Sequence, residues 1–254
     1  MEPHSLLDII RAVTRRSLAD EEKVAVAYSG GLDSSLIAKL AAESAHVVCY
    51  SCGAEGSSDF KEARGYGLAD GFEVRVLRLR ATELPFLVSR TSHAIASKDP
   101  LKVAYTIPTV LVLEQSEEEF VLGGNGADEL FAGYAKYSKS RETTEARMKD
   151  DLKKSIDEAR RLQAYARSIG KRAIFPFLSE EVVAAANATP LGLKISGDSR
   201  KTILREVGIL AGLAAADRAK KAAQYSSGTL KMMRIAAKER KSTLSAWVMD
   251  VTSR

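Results

Sequence analysis

Two short stretches hold residue types that could handle phosphate. The first is Tyr28-Ser29-Gly30-Gly31-Leu32-Asp33-Ser34-Ser35. Glycines let backbone N–H groups approach an anion, and a helix start adds unsatisfied donors and positive dipole. Ser29, Ser34 and Ser35 add hydroxyl donors. Asp33 alone would repel a phosphate, so its presence predicts a bridging Mg2+. The second stretch is Val121-Leu122-Gly123-Gly124-Asn125-Gly126-Ala127-Asp128-Glu129-Leu130, continuing to Tyr134. Asp128 and Glu129 stand at its helix start, where a carboxylate could share a cation with Asp33. The first stretch is neither a Walker A loop nor a G-x-G-x-x-G loop. Taken singly, each could be a glycine turn whose acidic residues favour the helix dipole.

The surrounding elements must position both loops. Val24 to Tyr28 is a continuous apolar run, which suits a strand buried on both faces of a parallel sheet. The helix expected after it runs from Asp33 to Ser44. The alternation repeats: strands at His46–Ser51, Glu73–Leu79 and Phe120–Leu122, and helices from Ser58 or Asp59 to Asp70, over 83–97, and from Pro108 to Glu119. Ser5 to Leu18 reads as an amphipathic helix capped by Ser5. This pattern predicts an α/β fold, a parallel sheet with helices on both faces, over residues 1–140. Residues 141–254 read as a mostly helical part packed on the same unit, with helices over 146–168, 179–188, 198–212 and 230–247.

The 254 residues are 45% hydrophobic and 28% charged, which excludes a collagenous, disordered or coiled-coil chain. The net charge of +5 hides an asymmetry: −5 over residues 1–125 (13 Lys+Arg, 18 Asp+Glu) and +10 over residues 126–254 (25 and 15). A basic half suits an anionic partner, or simply solvated helix faces. Two cysteines make no disulfide framework, and no run is apolar enough to span a bilayer, so a cytoplasmic location is expected. His46, Cys49 and Cys52 form H-x-x-C-x-x-C. His46 and Cys52 would point to opposite faces of a strand, which favours structural cysteines over a metal site. Asp150-Asp151 and Arg160-Arg161 read as a solvated helix face, and Met232-Met233 and Trp247 as packing residues.

The first stretch resembles the SGGxDS loop of the N-type ATP pyrophosphatases, whose fold is that of the adenine nucleotide alpha hydrolases. The second is similar to the SGEGADELFGGY segment of the asparagine synthetase family. Weaker echoes follow: Phe175-Pro176-Phe177-Leu178 resembles PFLD, Lys201 with Leu204-Arg205 resembles K-x-x-L-R, and Lys220-Lys221 before Gln224-Tyr225 resembles a lysine-rich QYGSG loop. The resemblance spans about residues 20–230.

It implies an ATP- and Mg2+-dependent ligase that adenylates a carboxylate, releases pyrophosphate, and then lets an amine displace AMP. By that resemblance, Ser29, Gly30, Gly31, Leu32, Ser34, Ser35 and Gly124 would cradle pyrophosphate. Asp33 and Asp128 would hold Mg2+. Lys221 or Lys220 would meet the α-phosphate, and Ala27, Tyr28, Ser51 and Gly53 the adenosine. Asn125, Glu129, Lys201 and Arg205 would lie on the substrate side. Asn125 stands where the family has a glutamate thought to deprotonate the amine; an amide cannot act as a general base. Ser179 replaces the family's aspartate. The chain has no room for an N-terminal glutaminase domain, so free ammonia, a small amine or a separate glutaminase subunit would supply the nitrogen. A tRNA-modifying enzyme, drawn by the basic half toward nucleic acid, and a non-catalytic nucleotide-binding regulator are the alternatives. No membrane partner is expected, and a homodimer is left open.

Overall fold

A computed structural model describes residues 1–54, 58–138, 141–214, 216 and 227–253. Five strands form one parallel sheet: β1 (Lys23–Ala27), β2 (His46–Gly53), β3 (Glu73–Arg78), β4 (Phe120–Leu122) and β5 (Arg172–Ile174), in the order β3-β2-β1-β4-β5. Their apolar residues alternate between two layers, because successive side chains on a strand point to opposite faces. Val24, Val26, Val47 and Cys49 pack into one layer with α1 (Pro3–Ser17), α2 (Leu32–Ala41) and α3 (Ser58–Ala69). Ala25, Val48, Tyr50, Cys52 and Val121 pack into the other with α4 (Leu84–Ile95) and α5 (Pro100–Gln115).

The chain then folds back over this core. After the short α6 (Ala127–Leu130), the 28-residue α7 (Arg141–Ser168) runs past the β5 edge. Its Leu152 joins the first layer, and its Ala159, Leu162 and Ala166 join the second. α8 (Glu180–Asn187), α9 (Leu191–Lys194) and α10 (Thr202–Leu210) follow, with a small hairpin, β6 (Ile195–Ser196) and β7 (Ser199–Arg200), leading into α10. α11 (Thr229–Glu239) and α12 (Leu244–Thr252) complete the second layer.

Several local expectations are corrected. Pro3 opens α1 and Ser5 lies inside it, so Ser5 is no cap. α5 starts at Pro100, not Pro108: the Asp99 carboxylate accepts from Leu101 N at 2.8 Å and Lys102 N at 3.4 Å. The helix then passes through Pro108, where burial of Val103, Ala104, Ile107, Val110 and Leu111 outweighs the lost backbone bond. β5 comes from the half read as helical. The single helix expected over 230–247 is two, separated at Lys241, whose φ is +50°. Asp151 is no solvated residue: Tyr137 Oη donates to it at 2.7 Å and Lys136 Nζ lies at 2.5 Å. Cys49 and Cys52 are buried in β2 while exposed His46 meets Glu73 at 3.3 Å. Trp247 and Met233 are packing residues.

Lys194 is buried beside this framework, and burial pulls its ammonium down to about 8 from 10.5, with Glu145 opposing. Between those values the unfolded chain keeps a proton that the folded chain gives up. Stability should therefore rise with pH from about 8 to 10.5, with the whole cost present below 8. Lys194→Met is expected to stabilise the protein near pH 7 by about 1–3 kcal/mol and to flatten that rise. Urea unfolding on either side of this pH window checks both.

Candidate active site

The strand order reverses between β1 and β4. β2 and β3 extend the sheet to one side of β1, and β4 and β5 to the other. At such a switch point the loops leaving adjacent strands part and open a crevice at the carboxyl edge. Both phosphate-type loops lie there, one following β1 and one following β4.

In the first loop Gly30 has φ +66°, a conformation that favours glycine. Gly31 caps α2 without offering a side-chain acceptor, which leaves the helix start suited to an anion. Hydroxyls brace the turn. Ser34 Oγ accepts from Ser29 N at 3.2 Å and donates to Gly31 O at 3.2 Å, and Ser29 Oγ accepts from Gly31 N at 3.3 Å. Ser35 is buried, and its hydroxyl donates to Tyr28 Oη at 3.2 Å. Tyr28 itself packs edge-on to Phe72 in the core. Ala27, Ser51 and Gly53 lie at the carboxyl ends of β1 and β2, next to this loop.

The second loop touches the first. A Cβ at Gly124 would lie 2.9 Å from Asp33 Cβ and 3.1 Å from Ser34 N, so only glycine permits this approach. Behind it, Gly123 N donates to Ile174 O at 2.9 Å, and Leu178 fills the space beside Gly126, whose φ is +94°. The Phe175–Leu178 segment thus backs the loop, and Ser179 caps α8 by accepting from Val182 N at 3.3 Å. Asn125 is half-buried. Glu129 accepts from Tyr134 Oη at 2.8 Å, and burial raises its carboxyl above the ordinary range.

A third segment completes the centre. Lys201 Nζ lies 2.5 Å from both Asp33 oxygens and 2.7 Å from Asp128 Oδ1. Its side chain is 5% exposed, against 21% and 17% for the two aspartates. Burial is the largest influence on this ammonium and lowers its pKa, with the Asp33 carboxylate working against it. Lys201 stands just before α10 with φ +58°, an uncommon conformation for a non-glycine residue. The neighbouring arginines hold it there. Arg200 Nη1 donates to Gly133 O at 3.0 Å, while Arg205 donates through Nε to Arg200 O at 3.1 Å and through Nη1 to Ala216 O at 2.6 Å. Arg205 is therefore a brace of this segment, beside whatever else it meets.

Sequence reasoning chose Lys201 as a substrate-side residue and did not foresee this bridge. It also missed Gly133, where an added methyl would overlap Asp128 Oδ1 and Lys201 Cε. The glycine following Phe131-Ala132 in the second motif was the available signal. Lys220 and Lys221 lie outside the described residues. The next described residue, Ser227, is buried, and its carbonyl accepts from Ala54 N at 2.8 Å, just beyond β2.

The donor set fits a hard cation. Two carboxylates from different segments converge on one positive charge, the Lys201 ammonium, and carboxylate oxygens are the ligands such a cation takes. Among the described residues no group of three or more His, Cys, Asp or Glu could hold a metal, so further oxygens would have to come from phosphate and water. Among the described residues, too, no helix is long and apolar enough to cross a membrane.

The asparagine synthase family profile matches residues 6–174. A Methanocaldococcus jannaschii protein named for a glutamine-hydrolyzing asparagine synthetase is 34% identical over 184 residues, covering 69% of this chain and 34% of its own. A similarly named protein of Acanthamoeba polyphaga mimivirus is 28% identical over 151 residues, covering 54% of this chain and 26% of its own. The chain thus spans about a third or less of the length of these relatives. The structure of NMN synthetase from Francisella tularensis superposes with a TM-score of 0.50 at 14% identity, covering 99% of this chain and 92% of that one. That likeness concerns the fold.

Proposed function

We infer the reaction from one premise: the chain belongs to the asparagine synthase family. We propose that it is an ATP-dependent, AMP-forming amide ligase. A substrate carboxylate oxygen attacks the α-phosphorus, the bond to the β-phosphate breaks, and pyrophosphate leaves. An amine nitrogen then attacks the acyl carbon, loses a proton, and AMP departs. The observation that carries this reading is the meeting of Asp33 and Asp128, from two glycine-rich loops, on one cation at the β1/β4 switch point.

Ser29, Gly30, Gly31, Leu32, Ser34 and Gly124 form the turn and helix start that would hold pyrophosphate. Ser35 supports that turn from beneath through Tyr28. Ala27, Ser51 and Gly53 would border the adenosine. Asp33 and Asp128 would hold Mg2+, which supplies charge neutralisation of the leaving group. Lys220 or Lys221 would meet the α-phosphate. Asn125 can donate and accept hydrogen bonds but cannot take the amine's proton. Glu129, on the same turn and raised by burial, is the carboxylate suited to that task.

The test is pyrophosphate release by pure protein with ATP, Mg2+ and a panel of carboxylates and amines, aspartate with ammonia first. The expected result is AMP formed in step with an amide, and only when both partners are present. If no carboxylate and amine pair stimulates AMP formation, the reading fails.

A further inference from the structure

Lys201 places an ammonium where two carboxylates from separate loops converge. We propose that Lys201 is a resident counter-cation: it keeps free divalent ions out of the nucleotide-free protein and yields the carboxylates only when a polyphosphate arrives with the metal. This rests on the reading of Asp33 and Asp128 as Mg2+ carboxylates. Its test reads metal binding rather than turnover, so the two can fail separately.

Three observations carry it. First, the ammonium is already engaged by both carboxylates, hydrogen-bonded to Asp33 and ion-paired with Asp128. Both Asp33 oxygens and Asp128 Oδ1 already face the ammonium within 2.7 Å. A free ion must therefore break a buried ion pair, and the displaced ammonium, 5% exposed, would lose its two nearest carboxylates. Second, the protein offers few ligands. Mg2+ demands octahedral coordination by oxygen, and among the described residues no third acidic or histidine ligand joins the pair. A bare ion would gain two carboxylates and lose water, with little surplus to drive the displacement.

Third, the lysine is built to move without its backbone. The main chain at residue 201 is fixed by the left-handed turn, by Arg205 N donating to its carbonyl at 2.9 Å, and by Arg200 on Gly133. The side chain has four rotatable bonds and a compact charge that can face a new anion. A polyphosphate supplies both missing elements: oxygens for the metal and an acceptor for the ammonium. The metal and the nucleotide then bind as one event.

The experiment titrates nucleotide-free protein with Mn2+ alone, followed by the electron paramagnetic resonance of the free ion. Wild type is expected to show no site at Asp33 and Asp128 tighter than about 1 mM, a weak affinity for so acidic a pair. Lys201→Met keeps the stem and removes the charge. It should gain one site about tenfold or more tighter than wild type, and Lys201→Met with Asp128→Asn should lose it again. Equal Mn2+ affinity in wild type and Lys201→Met overturns the proposal. So does a gained site that survives Asp128→Asn. Should Lys201→Met not fold, the wild type decides by its Tm. A midpoint unmoved by millimolar Mn2+ alone supports the proposal, and a rise that Asp128→Asn abolishes overturns it.

Discussion

Gly133→Ala is expected to lower AMP-forming activity by about 100-fold while leaving a folded protein. The backbone there is not in the left-handed region, so conformation alone would admit alanine. Space does not. The added methyl would overlap Asp128 Oδ1 and Lys201 Cε, and would lie 2.8 Å from Asp128 Cγ. Asp128 and Lys201 must shift, and a displacement near 1 Å at a reacting centre costs about two orders of magnitude in rate. Overpacking should cost about 1–3 kcal/mol of stability, well short of unfolding a domain of this size. Steady-state kinetics and a melting curve on the same preparation separate the two effects. Full activity in a folded variant would mean that the spacing of Asp128 and Lys201 is irrelevant to the reaction.

Asp33→Asn should reduce pyrophosphate release by about 10³-fold, as loss of a metal ligand removes several kcal/mol of transition-state stabilisation. The amide keeps the shape of the side chain and one acceptor for Lys201, and Asp128 still holds the ammonium at 2.7 Å. The fold should therefore survive, and a melting curve shows whether it has. Retention of activity within about tenfold would place the chemistry elsewhere. The contrast with Gly133→Ala is useful: one variant removes a charge and keeps the geometry, the other keeps every charge and disturbs the geometry.

The strands that bracket the site were legible because their residues are buried on both faces. Val24-Ala25-Val26-Ala27 and Phe120-Val121-Leu122 are short unbroken apolar runs, the second followed directly by Gly123 and the first, after Tyr28-Ser29, by Gly30. The two loops were legible for the same reason: a glycine cluster between strand and helix has few other uses. α5 was misread because proline is a helix breaker in isolation, and only the tertiary burial of its neighbours shows that Pro108 is tolerated. β5 is three residues long, with exposed Arg172 and only Ala173 buried, so periodicity had nothing to register. The bridge made by Lys201 was invisible for a deeper reason. It joins the first turns of α2 and α6 to the residue before α10, and no local spacing encodes such a meeting.

That meeting also bears on how the chain matures. Residues 33 and 128 become neighbours as soon as β4 pairs with β1, while residue 201 belongs to a segment synthesised later. A nascent chain that has reached β4 but not α10 carries two facing carboxylates with no ammonium between them, and like charges at that range repel. The positive charge that sits between them arrives only with the α10 segment. The three-charge centre is thus completed by the C-terminal part of the chain, after every strand of the five-stranded sheet has been synthesised.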